Sequence, residues 1–238
     1  MKPIDYEKYY ELNDLAFWRT LCAKDKSKYF LGSLERITHM HSTDTQSALF
    51  VADYGSGTGE LVDELSSLIA KHPLSVNFLF SQYDISESAS NKAKSTEIFP
   101  IDSYFNDAPF DVTMCCHVLE HVSDPRLLIF NLLNNSKFLI LEIPLELTIF
   151  SSISQIKNET GHINFYNPFL IRSLMHASNM LIISEEIYLP SLAVHRASGD
   201  KLGLRYLIKK IALAAMGENA TLFFSYHYHV VICQRFID

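Results

Sequence analysis

The chain has 238 residues, which is enough for one large domain with a buried core, and its 48% hydrophobic and 20% charged residues are typical of a globular protein. Its formal net charge of -7 provides no overall positive field, so nucleic acid is not expected as a partner. The four cysteines form no C-x-x-C pair, and we expect them to be reduced.

Two features of the sequence bear on location. The opening residues are too acidic and too aromatic to resemble a signal peptide, which favours a cytoplasmic location. The longest apolar region, 127–150, is interrupted by asparagines, charged residues and a proline. It therefore predicts no integral membrane segment.

The predicted elements begin with a helix over 5–38, where apolar residues recur at helical spacing. From Ala48 onward, short apolar runs alternate with amphipathic stretches, which predicts strands alternating with helices. Asn167 as a helix cap and Pro168 at the first helical position predict the start of a later helix. This order is typical of the α/β class with a doubly wound, mostly parallel sheet.

The last part of the sequence predicts a less regular segment, 191–219, with a helix around 201–216, and then a long strand over 220–235. The sequence contains no internal repeat. We therefore predict a single domain over 1–238, made of an N-terminal helical cap (1–45), a core (46–190) and a C-terminal helix with the final strand (191–238).

The stretch VADYGSGTG, residues 51–59, connects the first predicted strand to a predicted helix. In a doubly wound sheet, ligands bind beyond the carboxyl ends of the strands, and glycines in this turn let the backbone approach a ligand closely. A dinucleotide fingerprint has the spacing G-x-G-x-x-G, whose third glycine would fall at Glu60, whereas Gly59 comes one residue earlier. The spacing G-x-G-x-G therefore argues against a dinucleotide-dependent oxidoreductase.

Three later segments follow this turn in an informative order: FLFSQYDIS, FDVTMCCHVLEHVSDP and GHINFYNPFLIRSLM. With the glycine turn, they resemble the class I S-adenosylmethionine-dependent methyltransferases over about Ala48 to Met175. The resemblance implies a Rossmann-like fold of seven strands with the last antiparallel, methyltransferase activity, and S-adenosylmethionine as the cofactor. One departure is that Asn134 and Asn135 replace a glycine pair, and asparagine also tolerates left-handed backbone angles.

By this resemblance, the glycine turn passes beneath the amino acid part of the cofactor. Asp84, near the end of the second strand, is expected to accept hydrogen bonds from both ribose hydroxyls. Asp102 is expected to face the adenine amino group, with a solvated turn carboxylate as the alternative. The expected cofactor-binding residues are Asp53, Gly55, Ser56, Gly57, Gly59, Asp84, Ile85, Asp102, Cys116 and His117.

The residues His117, Glu120 and His121 also spell H-x-x-E-H, a pattern in which two histidines of one helix bind zinc and the glutamate activates water. Here the pattern directly follows a predicted strand, whereas the zinc motif lies within a long helix. We therefore expect neither a zinc hydrolase nor a metal at this site.

Methyl transfer to a hydroxyl requires that the acceptor be aligned behind the methyl group and lose its proton. Glu120, His121 and His162 are the bases that the sequence places near strand ends. His162 is favoured as the catalytic base because its ordinary pKa of about 6.5 suits neutral pH. The alternative for Glu120 and His121 is that they cap a short helix.

Two further groups of residues have alternative interpretations. An aromatic group near the N-terminus is a packing stripe, which we favour, or a lid over the cofactor. Its members are Tyr6, Tyr9, Tyr10, Phe17 and Trp18. A basic group on one predicted helix face is solvated, or binds an anionic acceptor or membrane surface. Its members are Lys201, Arg205, Lys209 and Lys210.

The leading hypothesis is thus a methyltransferase with a small-molecule substrate and an oxygen atom as acceptor. A sugar of a surface glycan, or its nucleotide-linked precursor, is the specific expectation. The alternatives are an N-methyltransferase of a small metabolite and a non-catalytic partner subunit of the same fold. The intact glycine turn and Asp84 argue against the partner subunit, and the oligomeric state stays open.

Overall fold

The computed structural model describes Tyr10 and residues 14–41, 48–71, 76–93, 97–107, 109–151 and 161–234. Its helices are α1 (Asp14–His41), α2 (Glu60–Lys71), α3 (Glu87–Lys92), α4 (Pro125–Asn134), α5 (Pro168–Ala177), α6 (Leu192–Ala197) and α7 (Leu204–Met216). Its strands are β1 (Ala48–Tyr54), β2 (Asn77–Asp84), β3 (Ile98–Pro100), β4 (Phe110–Cys116), β5 (Ser136–Leu145), β6 (Met180–Tyr188) and β7 (Tyr226–Gln234). Short 3₁₀ helices cover Ile101–Asn106, Leu119–His121 and Gly217–Leu222.

The seven strands form one sheet in the order β3-β2-β1-β4-β5-β7-β6. β1 is parallel to β2 and to β4, β2 is parallel to β3, and β7 is antiparallel to β6. This topology confirms the predicted doubly wound sheet with an antiparallel last strand. The strand order reverses direction between β1 and β4, and ligands of such sheets bind at the carboxyl ends of the strands at this switch point.

The chain divides into two compact units. The N-terminal unit contains the described residues of Tyr6–Cys116 and Leu132–Ile140. The C-terminal unit contains the described residues of His117–Asn131 and Leu141–Asp238.

In the N-terminal unit, α1 packs against α2. The side chains of Phe30, Leu34, Val51 and Leu65 are completely buried there. α2 begins directly after the glycine turn with Glu60, whose charge suits the positive end of the helix dipole. The end of β1 and the start of α2 are therefore fixed by packing, which holds the turn between them in place.

In the C-terminal unit, β6 and β7 form a long antiparallel pair. Ile143 of β5, Met175 of α5 and Tyr228 of β7 are completely buried. α5 begins as predicted, because the Asn167 side chain accepts the backbone N–H of Leu170 at 2.9 Å.

Three local predictions require correction. The strand predicted over 220–235 begins only at Tyr226, because the N–H groups of the two preceding phenylalanines bond to Ala220 O and not to a neighbouring strand. The helix predicted around 201–216 begins only at Leu204, after Gly203 with φ 71°, and α6 before it was not predicted. Asn134 and Asn135 do not adopt left-handed angles, which His117 and Asn179 do.

Among the described residues, no helix combines the length and the apolar composition that crossing a bilayer requires.

Candidate active site

The turn between β1 and α2 has backbone angles that glycine adopts most easily. Gly55, Gly57 and Gly59 have φ values of 79°, 59° and 85°. A Cβ atom on Gly59 would also lie 2.9 Å from Gln82 Oε1. A larger residue at this position would be strained both by its backbone and by its neighbour, which explains the glycine spacing.

Hydrogen bonds hold this turn against the end of β2. The backbone N–H groups of Gly55 and Ser56 donate to Tyr83 O at 2.8 and 3.0 Å. On another side, a Cβ atom on Gly57 would lie 3.0 Å from the hydroxyl of Tyr10. Tyr10 thus contacts the turn itself, and whether it covers the cofactor stays a prediction.

Asp84 connects the end of β2 to the same turn. Its Oδ2 accepts the N–H of Gly57 at 2.7 Å and its Oδ1 accepts the N–H of Ser86 at 2.9 Å. A carboxylate has about four lone-pair sites and can accept several hydrogen bonds at once. The position at the switch point and this capacity both suit the predicted binding of ribose hydroxyls.

Asp53, in β1 just before the turn, is a buried carboxylate with an unusual environment. It is 1% exposed, and within the described residues neither of its carboxylate oxygens has a hydrogen-bond partner. Burial, followed by the nearby charge of Asp84, raises the pKa of the Asp53 carboxyl to about 7, and Lys26 opposes this shift. A bound ammonium group would supply both the hydrogen-bond donor and the compensating charge. The residues present therefore fit the amino acid end of S-adenosylmethionine.

The other predicted cofactor residues of this unit have more varied surroundings. Ile85 is 68% exposed after β2, and Asp102 is exposed on the first 3₁₀ helix. Cys116 Sγ accepts a hydrogen bond from Lys26 Nζ at 3.2 Å. The Ser56 hydroxyl is buried and has no hydrogen-bond partner among the described residues. Their roles toward the cofactor stay predictions.

In the C-terminal unit, His117 is held by Glu142 and His227. Its backbone, at φ 56°, donates to Glu142 O at 3.0 Å. His117 Nε2 and His227 Nδ1 lie 3.1 and 2.9 Å from the same oxygen, Glu142 Oε1. Glu142 is completely buried, and these two imidazoles are hydrogen-bond partners of its Oε1. The sequence analysis did not identify Glu142 or His227, although a glutamate within the apolar run of β5 was a usable signal.

Glu120 lies in the 3₁₀ helix Leu119–His121 and is completely buried. Its carbonyl oxygen accepts the N–H groups of Ile163 and Asn164 at 2.8 and 3.1 Å. These bonds attach the segment that follows β5 to the Leu-Glu-His turn. As a result, the rings of His121 and His162 lie 4.8 Å apart between centroids, so the three predicted bases are close together.

His162 has a carboxylate partner that the sequence analysis did not identify. Its Nδ1 lies 2.7 Å from Glu146 Oε2. Burial lowers the pKa of His162, but the hydrogen bond and charge of Glu146 and the charge of Glu120 raise it more, so the pKa lies above its ordinary value. Burial and the neighbouring His162 lower the pKa of His121. The surroundings thus favour the protonated form of His162 and the neutral form of His121.

The same three bases could also hold a metal ion. Glu120, His121 and His162 each offer one ligand atom, and these atoms lie within 4.8 Å of one another. The arrangement is not that of the helical zinc motif, because the H-x-x-E-H residues extend from the end of β4 into a 3₁₀ helix and His117 is bonded to Glu142.

Two alternative interpretations can now be compared with the structure. The 3₁₀ helix Leu119–His121 has no side-chain cap bond, so capping does not account for Glu120 and His121. Phe17 is 69% exposed and does not pack as a stripe would, while Tyr6 and Tyr9 lie outside the described residues.

The predicted single basic face of α7 is wrong. Lys209 is half-buried and donates to Ser225 Oγ at 3.1 Å, and burial lowers the pKa of its ammonium group. Arg205 and Lys210 are exposed, but helical geometry puts them about 140° apart around the axis.

The sheet order, the glycine turn and Asp84 define the fold class of S-adenosylmethionine-dependent methyltransferases. A family model described as a methyltransferase domain matches residues 32–185, which is more than half of the chain. The chain belongs to this family, and the predicted enzyme class and its cofactor, S-adenosylmethionine, are confirmed. No curated protein sequence matches the chain.

Solved structures with a similar fold include three methyltransferases. Magnesium protoporphyrin IX methyltransferase from Synechocystis PCC 6803, with bound S-adenosylhomocysteine, is 14% identical, with 96% of this chain and 98% of that chain covered and a TM-score of 0.53. A methyltransferase from Thiobacillus denitrificans in complex with S-adenosylhomocysteine is 12% identical, with 86% and 90% covered and a TM-score of 0.54. A putative sarcosine dimethylglycine methyltransferase from Galdieria sulphuraria is 12% identical, with 86% and 84% covered and a TM-score of 0.56.

Proposed function

We propose that this protein methylates an oxygen atom of a small-molecule acceptor, with His162 as the catalytic base. The observation that carries the proposal is the 2.7 Å bond between His162 Nδ1 and Glu146 Oε2 beside Glu120 and His121. A hydroxyl must lose its proton as the methyl group arrives, whereas a neutral amine attacks through its own lone pair. A carboxylate-held imidazole therefore suits an oxygen acceptor better than a nitrogen acceptor.

The N-terminal unit has the groups that would hold the cofactor. Asp53 would accept hydrogen bonds from the ammonium group, and Asp84 would accept those of the ribose hydroxyls. The exposed side chain of Ile85 would pack on the adenine, and Asp102, Ser56 and Cys116 stay predicted contacts. The same holds for His117, which belongs to the C-terminal unit. When bound, S-adenosylmethionine supplies an electrophilic methyl group on a positively charged sulfur atom.

His162 is suited to receive a proton at one particular nitrogen. Glu146 is an acceptor, so the proton of the neutral ring is on Nδ1 and the lone pair is on Nε2. After proton transfer, the imidazolium is stabilised by the charges of Glu146 and Glu120, the same groups that raise its pKa. Glu120 and His121 would complete the polar wall around the acceptor.

We propose a sugar or similar metabolite, such as a surface-glycan precursor, as the acceptor. We also propose a cytoplasmic location for the protein. Sugars offer the hydroxyl groups that a histidine base requires. An N-methyltransferase of a small metabolite is the alternative, as is a non-catalytic subunit that only binds the cofactor. These three proposals differ in which acceptors release S-adenosylhomocysteine.

The first experiment tests the cofactor and then the acceptor. S-adenosylhomocysteine should raise the melting temperature by mass action, while a nicotinamide dinucleotide should not. Asp84→Ala should weaken cofactor binding by roughly 1–3 kcal/mol, the range for a charge-assisted hydrogen-bond partner. A screen of hydroxylated metabolites against their amino analogues then measures S-adenosylhomocysteine release. Turnover with amines alone would overturn the oxygen assignment.

A second mechanism for the same reaction uses the ligand-like spacing of Glu120, His121 and His162. A divalent cation held there would acidify the acceptor hydroxyl and orient it. His162 would then donate its lone pair to the metal and not to a proton. Metal analysis of the purified protein, and turnover measured with and without a chelator, distinguish the two mechanisms.

A further inference from the structure

The helix α7 presents an apolar surface to solvent. None of its 13 residues, all of which the structure describes, is buried. Four large apolar side chains, Leu204, Leu207, Ile208 and Ile211, are 57%, 51%, 53% and 59% exposed. At about 100° per residue, these four positions lie within one arc of about 100°. An ordinary surface helix turns such an apolar arc toward the core, whereas α7 turns it toward solvent.

The opposite side of α7 is fixed to the C-terminal unit. The Lys209 ammonium group donates to Ser225 Oγ at 3.1 Å, and the hydroxyl of Tyr226 donates to Lys209 O at 2.8 Å. Tyr206 and Leu213, on the same side, are half-buried. The apolar arc is therefore held outward by contacts of its own helix.

Cations lie on both sides of the arc. Arg205 and Lys210 are exposed, and they occupy the two flanks at about 100° or more from the centre of the apolar arc. Lys201 is exposed just before the helix. The sequence from Lys201 to Gly217 contains no aspartate or glutamate, although the whole chain has a net charge of -7.

The segments on both sides of α7 also expose large apolar side chains. Leu202 is 81% exposed before α7, and Leu222, in the 3₁₀ helix after it, is 41% exposed. The Ile149 N–H donates to Leu222 O at 2.8 Å, which brings a turn with Ile149 and Phe150, 62% and 67% exposed, to the same segment. Large exposed apolar side chains grouped on one helix face are typical of an interaction site.

Charge decides which partner fits this surface. A symmetric contact between two copies would bring the same cations, Arg205 and Lys210, near one another, and like charges oppose such an interface. An apolar arc with a cation on each flank matches a lipid surface, where acyl chains contact the apolar residues and anionic headgroups pair with the cations. We propose that α7 docks this protein on an anionic lipid surface, with Leu204, Leu207, Ile208 and Ile211 inserted at the headgroup level.

The test uses the full-length protein and sedimentation with lipid vesicles. Vesicles that contain phosphatidylglycerol in phosphatidylcholine should bind the protein, and vesicles of phosphatidylcholine alone should bind it much less. Added salt should weaken the binding. Replacing both cations, Arg205→Gln with Lys210→Gln, should reduce binding about 25-fold, at about fivefold per charge.

The apolar arc is tested by Leu207→Glu with Ile211→Glu, which should abolish vesicle binding. The matched control is Leu127→Glu, because Leu127 is a comparably exposed leucine, 54%, on α4. This control should bind vesicles like the unmodified protein. The melting temperature of each variant is measured to check that it is folded. If the glutamate variants do not fold, the variants of the exposed cations provide a second test.

Three results would overturn the proposal. The first is no binding to anionic vesicles, and the second is equal loss in the Leu127→Glu control. The third is a dimer in light scattering that Ile211→Glu dissociates, since α7 would then be an interface between copies of this chain.

Discussion

Asp53 and Glu142 are two buried carboxylates, one in each unit, and their surroundings differ. Glu142 is 0% exposed and lies within 3.1 Å of a nitrogen of His117 and of His227. Asp53 is 1% exposed, and no hydrogen-bond donor among the described residues reaches it. Hydrogen-bond partners offset part of the free energy that burial of a carboxylate costs, whereas a buried carboxylate without a donor costs stability until a ligand supplies one. The difference indicates that a positively charged ligand binds at Asp53.

The largest expected effect concerns the base in the C-terminal unit. His162→Ala should lower turnover by about 10²- to 10⁴-fold, the usual contribution of a positioned acid–base group, with cofactor affinity nearly unchanged. Steady-state kinetics and calorimetry measure the two quantities. The matched control is His195→Ala, in α6, which should retain full turnover. If a chelator abolishes activity and added metal restores it, His162 is a metal ligand and not a base.

A smaller effect is expected at the uncompensated carboxylate. Asp53→Asn should weaken S-adenosylhomocysteine binding by about 10- to 150-fold, because a hydrogen bond to a charged group contributes about 1.5–3 kcal/mol. The same variant should raise the melting temperature of the ligand-free protein above about pH 7, because it removes a buried charge. Unchanged affinity would show that the ammonium group binds elsewhere.

The sign of this stability effect follows from the pKa. The folded-state pKa of Asp53, about 7, is above the ordinary value of 3.8, so the unfolded chain loses this proton first as pH rises. Stability of the ligand-free protein therefore falls between these two values. Asp53→Asn should flatten that part of the melting-temperature profile.

The smallest effect is expected from Glu146→Gln. Glu146 raises the pKa of His162, so its neutral replacement should move the acidic limb of the kcat profile to lower pH. The shift should be partial, because the charge of Glu120 remains and also raises this pKa. A limb that does not move would mean that another group titrates.

The sequence predicts the N-terminal features well because they are local. The glycine turn and Asp84 lie near the ends of consecutive parallel strands, so a pattern of spacing is enough to place them together. In the C-terminal unit, the helix cap at Asn167 was predictable for the same reason, because it depends on neighbouring residues only.

The partners of the histidines were not predictable in the same way. Glu142 and His227 are 85 positions apart, and their contact depends on how distant strands are arranged. His162 and Glu146 are 16 positions apart, and their contact depends on the path of the segment that follows β5. The outward face of α7 was also missed, because an amphipathic pattern gives no direction relative to the core.

The most direct test of the central claim is calorimetric titration of S-adenosylhomocysteine at about pH 6, in two buffers of different ionisation enthalpy. Below its pKa of about 7, Asp53 is mostly protonated in the free protein, and the ligand ammonium group keeps its proton because its pKa is near 8. The account predicts that binding releases most of one proton from the unmodified protein and none from Asp53→Asn. Equal proton release by both proteins, or none by either, would contradict the assignment of Asp53 to the ammonium group of the cofactor.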